Sequence, residues 1–401
     1  MDKYFNVTPQ VHYLQEYDMR ACTEWYGVKA LWYEGGMYRG KKTKVFALIG
    51  YPEMKQGQKV PAIVLVHGGG GHPYAEWIRR WNERGFAAIA MDTTGYFPCD
   101  EWKGLVGTER ANENYKFTRE LCDELLRDGY TVGPDNSEMT DCDLPREEQW
   151  MYHAVVDTIL AHNILRDDMQ IDRDKIGIAG ISWGGVITSI ALRYDNRYAF
   201  AIPIYGSGYL DMLPAPKLPQ VFREGSVRQL WGVAEHFHNV NCPILWMCYL
   251  EDTCFCFRAN SLSYMATKNT NSILSIKRGM GHSHISAWSA PEAYRFAEKV
   301  LSNDLPFIKC ATESGSFDDI SLEIEIPQDI ENISAEIFYV IEPVTYDGRN
   351  NLSNKWKSVK AEIQKGTVYA TIPEDTYGYY LELKGFVGGE CYISTSAWYE
   401  K

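Results

Sequence analysis

Gly180-Ile181-Ser182-Trp183-Gly184 is a G-x-S-x-G element, and its flanks decide what it is worth. An apolar run at 175–181 leads directly into it, and a helix-forming stretch at 184–193 leads directly out. This is where a serine is carried on a strained strand-to-helix turn, with glycines making room and the hydroxyl standing clear of the sheet. The bland alternative is a tight glycine-rich turn with a passive serine. A serine hydroxyl is a poor nucleophile without a base, and that base needs an orienting carboxylate. With an elbow serine the chain order is serine, acid, histidine. Asp252 stands just past the apolar run 243–249, where the acid belongs; its neighbour Glu251 is the rival, and Asp211 a distant third. Gly281-His282-Ser283-His284 follows the last apolar run of the sheet. His282, next to the turn Arg278-Gly279-Met280-Gly281, is the expected base, and His284 is the alternative base or part of the substrate site.

An acyl-transfer oxyanion must be met by preorganised N–H groups. One is expected from Trp183, the residue after the nucleophile. The other is expected from His67-Gly68-Gly69-Gly70-Gly71, where residues without side chains let backbone approach a carbonyl oxygen; Gly69 is the chosen donor. His67 itself reads as packing beneath that loop. The loop lacks the G-x-G-x-x-G spacing and the acid about 20 residues on, so it is not a dinucleotide site. The H-x-H pair at 282–284 lacks metal-ligand neighbours at the usual spacing, and the C-x-C pair Cys254/Cys256 has no second pair to complete a zinc site. The sequence therefore calls for no metal and no cofactor.

These residues need a frame. Runs at 28–33 and 44–49 around a Gly/Lys-rich turn read as an antiparallel entry hairpin. Residues 62–66 form a continuous apolar run of the kind buried on both faces of a parallel sheet. A helix with Tyr74, Trp77, Ile78 and Trp81 on one stripe follows, and then a strand at 86–91. Residues 95–147 break the alternation; they read as an insertion over the sheet, with one helix at 109–126. Helix 148–165, with Met151, Val155 and Ile159 on one line, restores it, followed by strand 175–181, helix 184–193 and strand 199–205. A second insertion (207–240) precedes strand 243–249, helix 258–267 and strand 272–276. The last helix opens on Ser289-Ala290-Pro291-Glu292, read as a capping box, and runs to 301. Repeated β-α units of this kind give an α/β fold with a doubly wound, mostly parallel sheet. From 305 the pattern turns to period two, with Leu322, Ile324 and Ile326 alternating with Glu323 and Glu325, and Ala335, Ile337, Tyr339 and Ile341 on one side. About seven short strands in 305–401 predict a small C-terminal β-sandwich domain after a catalytic domain of 1–304.

Length and composition set the outer bounds. The 401 residues suit two domains, and 45% hydrophobic with 23% charged residues is ordinary for a chain with a large core. The net charge of −13 argues against nucleic acid or an anionic membrane as partner. No apolar run is long enough to span a bilayer, and the first residues carry no secretory signal, so a cytoplasmic location is expected. Ten cysteines at irregular spacing, Cys122, Cys242, Cys248 and Cys391 among them, read as thiols rather than disulfides. The oligomeric state, a homo-oligomer included, is open.

Three runs together carry a resemblance: Val66-His67-Gly68-Gly69-Gly70-Gly71, Gly180-Ile181-Ser182-Trp183-Gly184-Gly185, and Met280-Gly281-His282-Ser283-His284 followed by Trp288. The chain resembles bacterial α/β-hydrolases of the acetyl xylan esterase and dienelactone-hydrolase-like group over roughly residues 28–303, and the all-β tail is similar to domains appended in some members. The resemblance implies esterase chemistry, often deacetylation of carbohydrate, with the triad Ser182, Asp252 and His282. Tyr249-Leu250-Glu251-Asp252-Thr253 departs from the glycine- and asparagine-rich turn expected around the acid. The expected substrate is a short-chain acyl (acetyl) ester of a sugar-like or small molecule. His284 and Trp288 would line its site, and Trp150, Trp183 and Trp231 could add aromatic faces near it, although in a chain that is 13% aromatic each of these tryptophans reads first as core. The rival is a serine peptidase of the prolyl-oligopeptidase type acting on small peptides; it shares elbow and triad order but usually carries an N-terminal propeller, for which the 60 residues before the first parallel strand leave no room. A third reading, a non-catalytic binding protein on a decayed hydrolase core, is disfavoured because serine, acid and histidine all stand at fitting positions.

Overall fold

The computed structural model describes residues 1–14, 27–98, 117–118, 129–135, 139–213, 218–223, 225–267, 270–311, 315–347, 351–352 and 355–401. Its first half is built on β1 (Val11–Tyr13), β2 (Lys29–Tyr38), β3 (Lys41–Gly50), β4 (Val60–Val66), α1 (Ala75–Asn82), β5 (Ala87–Met91), β6 (Phe97–Pro98), β7 (Phe117–Thr118), α2 (Trp150–Asp167), β8 (Ile171–Ile181) and α3 (Trp183–Tyr194). Then come β9 (Ala201–Ile204), α4 (Leu218–Arg223), α5 (Gly225–Trp231), β10 (Leu245–Tyr249), α6 (Phe257–Thr267), β11 (Ile273–Lys277), α7 (His284–Trp288) and α8 (Pro291–Leu301).

Pairing runs β1-β2-β3-β5-β4-β8-β9-β10-β11, antiparallel through β3–β5 and parallel from β5 to β11. Swapping β4 and β5 in space is what puts helices on both faces, because each parallel crossover must pack its helix back onto the sheet. Ala62 to Val66 and Ala87 to Met91 are buried throughout, as strands covered on both faces must be. On α1, Trp77, Ile78 and Trp81 face the core, while Arg79, Arg80 and Glu83 make i,i+4 ion pairs outside. α2 differs from the expected single stripe: it is buried nearly all round, from Trp150 to Leu165, which suits a helix packed on the sheet with other chain lying over it.

Two expectations need correction. The capping box at Ser289–Glu292 does not form: Ala290 is the N-cap, with no side-chain bond, and Ser289 ends α7 instead. Glu292 is drawn away because its carboxylate takes Lys277 Nζ at 2.5 Å and the Ile393 N–H at 3.3 Å. The helix expected at 109–126 lies mostly outside the described residues, but Phe117–Thr118 within it is a strand, paired with Phe97–Pro98. The second insertion is helical, carrying α4, α5 and two 3-10 turns, Leu210–Met212 and Ala234–Asn239.

Beyond α8 every element among the described residues is a strand: β12 (Lys309–Cys310), β13 (Asp319–Glu325), β14 (Glu331–Val340), β15 (Tyr346–Asp347), β16 (Asn351–Leu352), β17 (Lys357–Gln364), β18 (Thr367–Thr371), β19 (Gly378–Val387), β20 (Glu390–Thr395) and β21 (Tyr399–Glu400). β17 turns the corner: Lys357 to Ala361 pair with β14, and Glu362 to Gln364 pair with β18. The layers enclose a second core that includes Ile320, Leu322, Ile324, Ile337, Val368, Leu381 and Leu383. Ile326 and Ile341, counted in its alternating rows, are exposed instead. The sequence does not announce the junction. β20 pairs antiparallel with β11 at Thr395 and Leu274, and Ser275 Oγ donates to Ile393 O at 2.7 Å. The β-rich tail thus covers the edge of the catalytic sheet, which would otherwise present unpaired N–H and C=O groups.

Candidate active site

Ser182 sits between β8 and α3 at φ 58° and ψ −119°, a conformation that non-glycine residues adopt only when their surroundings hold them there. Its N–H donates to Ile204 O at 2.7 Å, and its carbonyl accepts from Val186 N at 3.1 Å. The turn leaves no room beside it. A Cβ on Gly180 would fall 2.0 Å from Gly184 O, and one on Gly184 would fall 2.0 Å from Val66 O. The G-x-S-x-G spacing is therefore a packing requirement of β8 against α3 and β4, and the strain it stores presents the hydroxyl.

Two further strand ends, those of β10 and β11, bring the rest. Ser182 Oγ lies 3.0 Å from His282 Nε2, and His282 Nδ1 lies 2.7 Å from Asp252 Oδ2. Asp252 is fully buried, and its second oxygen accepts the N–H groups of Cys254 at 2.7 Å and Phe255 at 2.9 Å. Those two amides fix the carboxylate plane. Nδ1–H then donates to Asp252, which leaves Nε2 as the lone-pair nitrogen facing the serine. Such a chain can take the hydroxyl proton as the oxygen attacks and return it to a leaving group.

The rivals stand elsewhere. Glu251 accepts the Gly279 N–H at 3.4 Å, which braces the turn before His282. Asp211 lines a cavity of about 280 Å³ within the second insertion, with Arg228 and Glu235. His284 accepts the Gly68 N–H on Nε2 at 3.0 Å and lies 3.5 Å from Tyr74 Oη through Nδ1. Burial, aided by the neighbouring His67 and His282, pushes its pKa down to about 3. It braces the glycine loop beside the base, a supporting place in the site. Trp288, expected to line the site, does not: it is 1% exposed and packs on Tyr74, Trp77 and His284. Trp150 and Trp231 are core as well, with their ring N–H groups donated to Thr93 O and Gln149 Oε1. Of these four tryptophans only Trp183 is partly open, edge-on to Trp150 and Phe255.

Gly69 is exposed at the tip of the loop after β4, and Trp183 is the first residue of α3. Both positions suit amides that meet an oxyanion, the second reinforced by the helix N-terminus. Gly68, in contrast, has committed its N–H to His284. His67 packs under the loop as expected, with Nδ1 2.8 Å from Gly68 O and Nε2 accepting from Thr93 N at 3.1 Å.

One site residue escaped the sequence reading. Tyr205 follows β9 at φ 59°, lays its ring on His282 at 4.6 Å between centroids, and donates its hydroxyl to Gly281 O at 2.7 Å. It holds both the imidazole and the turn that carries it. Its only sequence signal was its place at the end of a parallel strand beside the elbow. Among the described residues, the one group of three metal-capable side chains is Asp252, Cys254 and His282.

Fold and site together define a serine hydrolase of the α/β-hydrolase class. Residues 146–301, which carry Ser182, Asp252 and His282, match the family model described as the prolyl oligopeptidase family. Similar solved structures include an acylaminoacyl peptidase from Pyrococcus horikoshii (18% identity, 77% of this chain and 43% of that one, TM-score 0.46). They also include a puromycin-hydrolyzing peptidase from Mycobacterium tuberculosis (18%, 69% and 40%, TM-score 0.48) and an acetyl xylan esterase from a Paenibacillus species (18%, 76% and 92%, TM-score 0.49). The chain spans about two fifths of the length of the two peptidases. No curated protein matches it. No helix among the described residues is long and apolar enough to cross a membrane.

Proposed function

We propose that this chain is a carboxylic ester hydrolase that cleaves short-chain acyl esters, acetyl esters of sugar-like or other small molecules, through an acyl-enzyme on Ser182. The observation that carries the reading is the unbroken relay from Ser182 Oγ to His282 and on to Asp252. His282 takes the Ser182 proton as Oγ attacks the carbonyl, Asp252 steadies the imidazolium, and the Gly69 and Trp183 amides receive the oxyanion. His282 then gives the proton to the departing alcohol. Water repeats the cycle and releases the acid. The rings of Tyr205 and Phe255 stack on His282 and hold the imidazole in the relay, with Trp183 edge-on to Phe255.

A second reading, a serine peptidase acting on small peptides, is favoured by the prolyl-oligopeptidase match over 146–301. The same relay would serve it, with an amine as leaving group. The two part on a panel of acetyl, propionyl and longer esters set beside aminoacyl amides, assayed with wild type and Ser182→Ala. Ester turnover that disappears in the variant, with amides left intact, supports the first. Amide or peptide cleavage that dominates the panel replaces it with the second.

A further inference from the structure

Cys254 has no part in acyl transfer, yet it stands beside the relay. Its N–H closes a tight turn onto Asp252 Oδ1 at 2.7 Å, and its side chain is exposed. Its Sγ, a carboxylate oxygen of Asp252 and a ring nitrogen of His282 all lie within 4.8 Å of one another. We propose that Cys254, Asp252 and His282 form an inhibitory site for a thiophilic divalent cation such as zinc or cadmium, which arrests the enzyme reversibly by taking the imidazole nitrogen that faces Asp252.

Thiolate, imidazole and carboxylate are the ligands zinc takes, at about 2.3, 2.0 and 2.1 Å. On a tetrahedron such atoms stand roughly 3.3–3.8 Å apart, so the present spacing needs only a modest closure of the Cys254 side chain and a slight opening of the His282–Asp252 bond. The exposed thiol leaves the ion a path in and a position for water. Magnesium and calcium, which want oxygen ligands, suit the set poorly. The protons balance simply. The Cys254 thiol loses one to solvent, and the neutral imidazole, now bound through Nδ1, carries its single proton on Nε2. Nε2–H cannot accept the Ser182 proton, so the base is gone while the ion stays. Cys256, the other half of the C-x-C pair, is buried and turned to Met212 O at 3.4 Å, which makes it the natural control.

The inference goes beyond the esterase reading and can be tested without knowing the substrate. Ser182→Ala protein titrated with cobalt(II) should develop thiolate-to-cobalt charge-transfer absorption in the near ultraviolet. The band should be absent in Ser182→Ala/Cys254→Ser and present in Ser182→Ala/Cys256→Ser. In wild type, micromolar zinc or cadmium should lower kcat on whichever acyl substrate is turned over, and a chelator should restore it. Cys254→Ser, measured against its own metal-free rate, should need at least about tenfold more cation. No charge-transfer band, or equal zinc and cadmium sensitivity in wild type and Cys254→Ser, overturns the site and leaves the hydrolase reading untouched.

Discussion

His284 accepts the Gly68 N–H at 3.0 Å, so the second histidine of the G-H-S-H run serves the loop after β4, while the first faces Ser182. The two should separate in kinetics. His282→Ala should lower kcat by several orders of magnitude, as removal of a triad member does. His284→Ala should cost far less and act by loosening the loop that presents Gly69. If His284→Ala alone abolishes turnover, the assignment is reversed.

Ser182 should be the acylated residue. Peptide mass mapping after a fluorophosphonate probe should place the adduct on Ser182, and Ser182→Ala should reduce kcat by about 10⁴-fold or more. An adduct on any other serine in active enzyme removes it from that role.

Tyr205 acts through His282, and its test must show that. Tyr205→Phe keeps the ring on the imidazole but gives up the bond to Gly281 O. A hydrogen bond of this kind is worth about 0.5–1.5 kcal/mol, so kcat should drop roughly two- to tenfold with KM little changed. A rise in KM at constant kcat would instead mean that the hydroxyl contacts substrate.

Acid should destabilise the protein before it unfolds it. Burial holds His284 down to about 3 and His153 to about 4, against an ordinary value of 6.5. Between pH 6.5 and these values the unfolded chain binds protons that the folded chain refuses. Their contribution is therefore complete above about pH 6.5 and is lost as pH falls toward 3–4, at up to about 1.4 kcal/mol per pH unit for each histidine. Denaturant midpoints at pH 7 and pH 5 should show this decline, and His284→Asn should flatten it. A wild-type midpoint unchanged across that interval contradicts the account.

Glu292 ties the β-rich tail to the catalytic sheet. It is fully buried, ion-paired to Lys277 at the end of β11, and takes the Ile393 N–H of β20. Lys277→Met should leave an uncompensated buried carboxylate and cost about 3–5 kcal/mol in chemical denaturation. Removing both charges with Lys277→Met/Glu292→Gln should recover much of that loss. Equal destabilisation by the single and double variants would show that the pair itself matters little.

The strands of the catalytic sheet were legible because burial on both faces writes a continuous apolar run, as in Val60–Val66 and Ala87–Met91. The elbow was legible because the close approach of α3 to β8 and β4 excludes any Cβ at Gly180 and Gly184, so chemistry and packing demand the same spacing. The capping box at Ser289 was misread because a local motif was outcompeted. Glu292 gains more from the half-buried Lys277 than from its own helix N-terminus. Trp288 was misplaced because aromatic content says nothing of depth; it is buried in the core, as Trp150 and Trp231 are.

From the sequence alone, then, came the serine on its strained turn, the order of acid and histidine after it, the glycine loop ahead of it, and the change from helical to alternating pattern at the tail. Each is a local requirement, written in neighbouring residues. Which of two near-adjacent histidines meets Ser182, and which of two adjacent acids meets that histidine, is a question about strands 30 to 100 residues apart. It was decided by where the chain turns after β10 and β11. Asp252 is buried under its own loop amides while Glu251 points to Gly279, and His282 is pressed by Tyr205 toward the serine while His284 is drawn to Gly68. The union of β20 with β11 belongs to the same class, since an edge strand shows its need for a partner but not which strand will fill it.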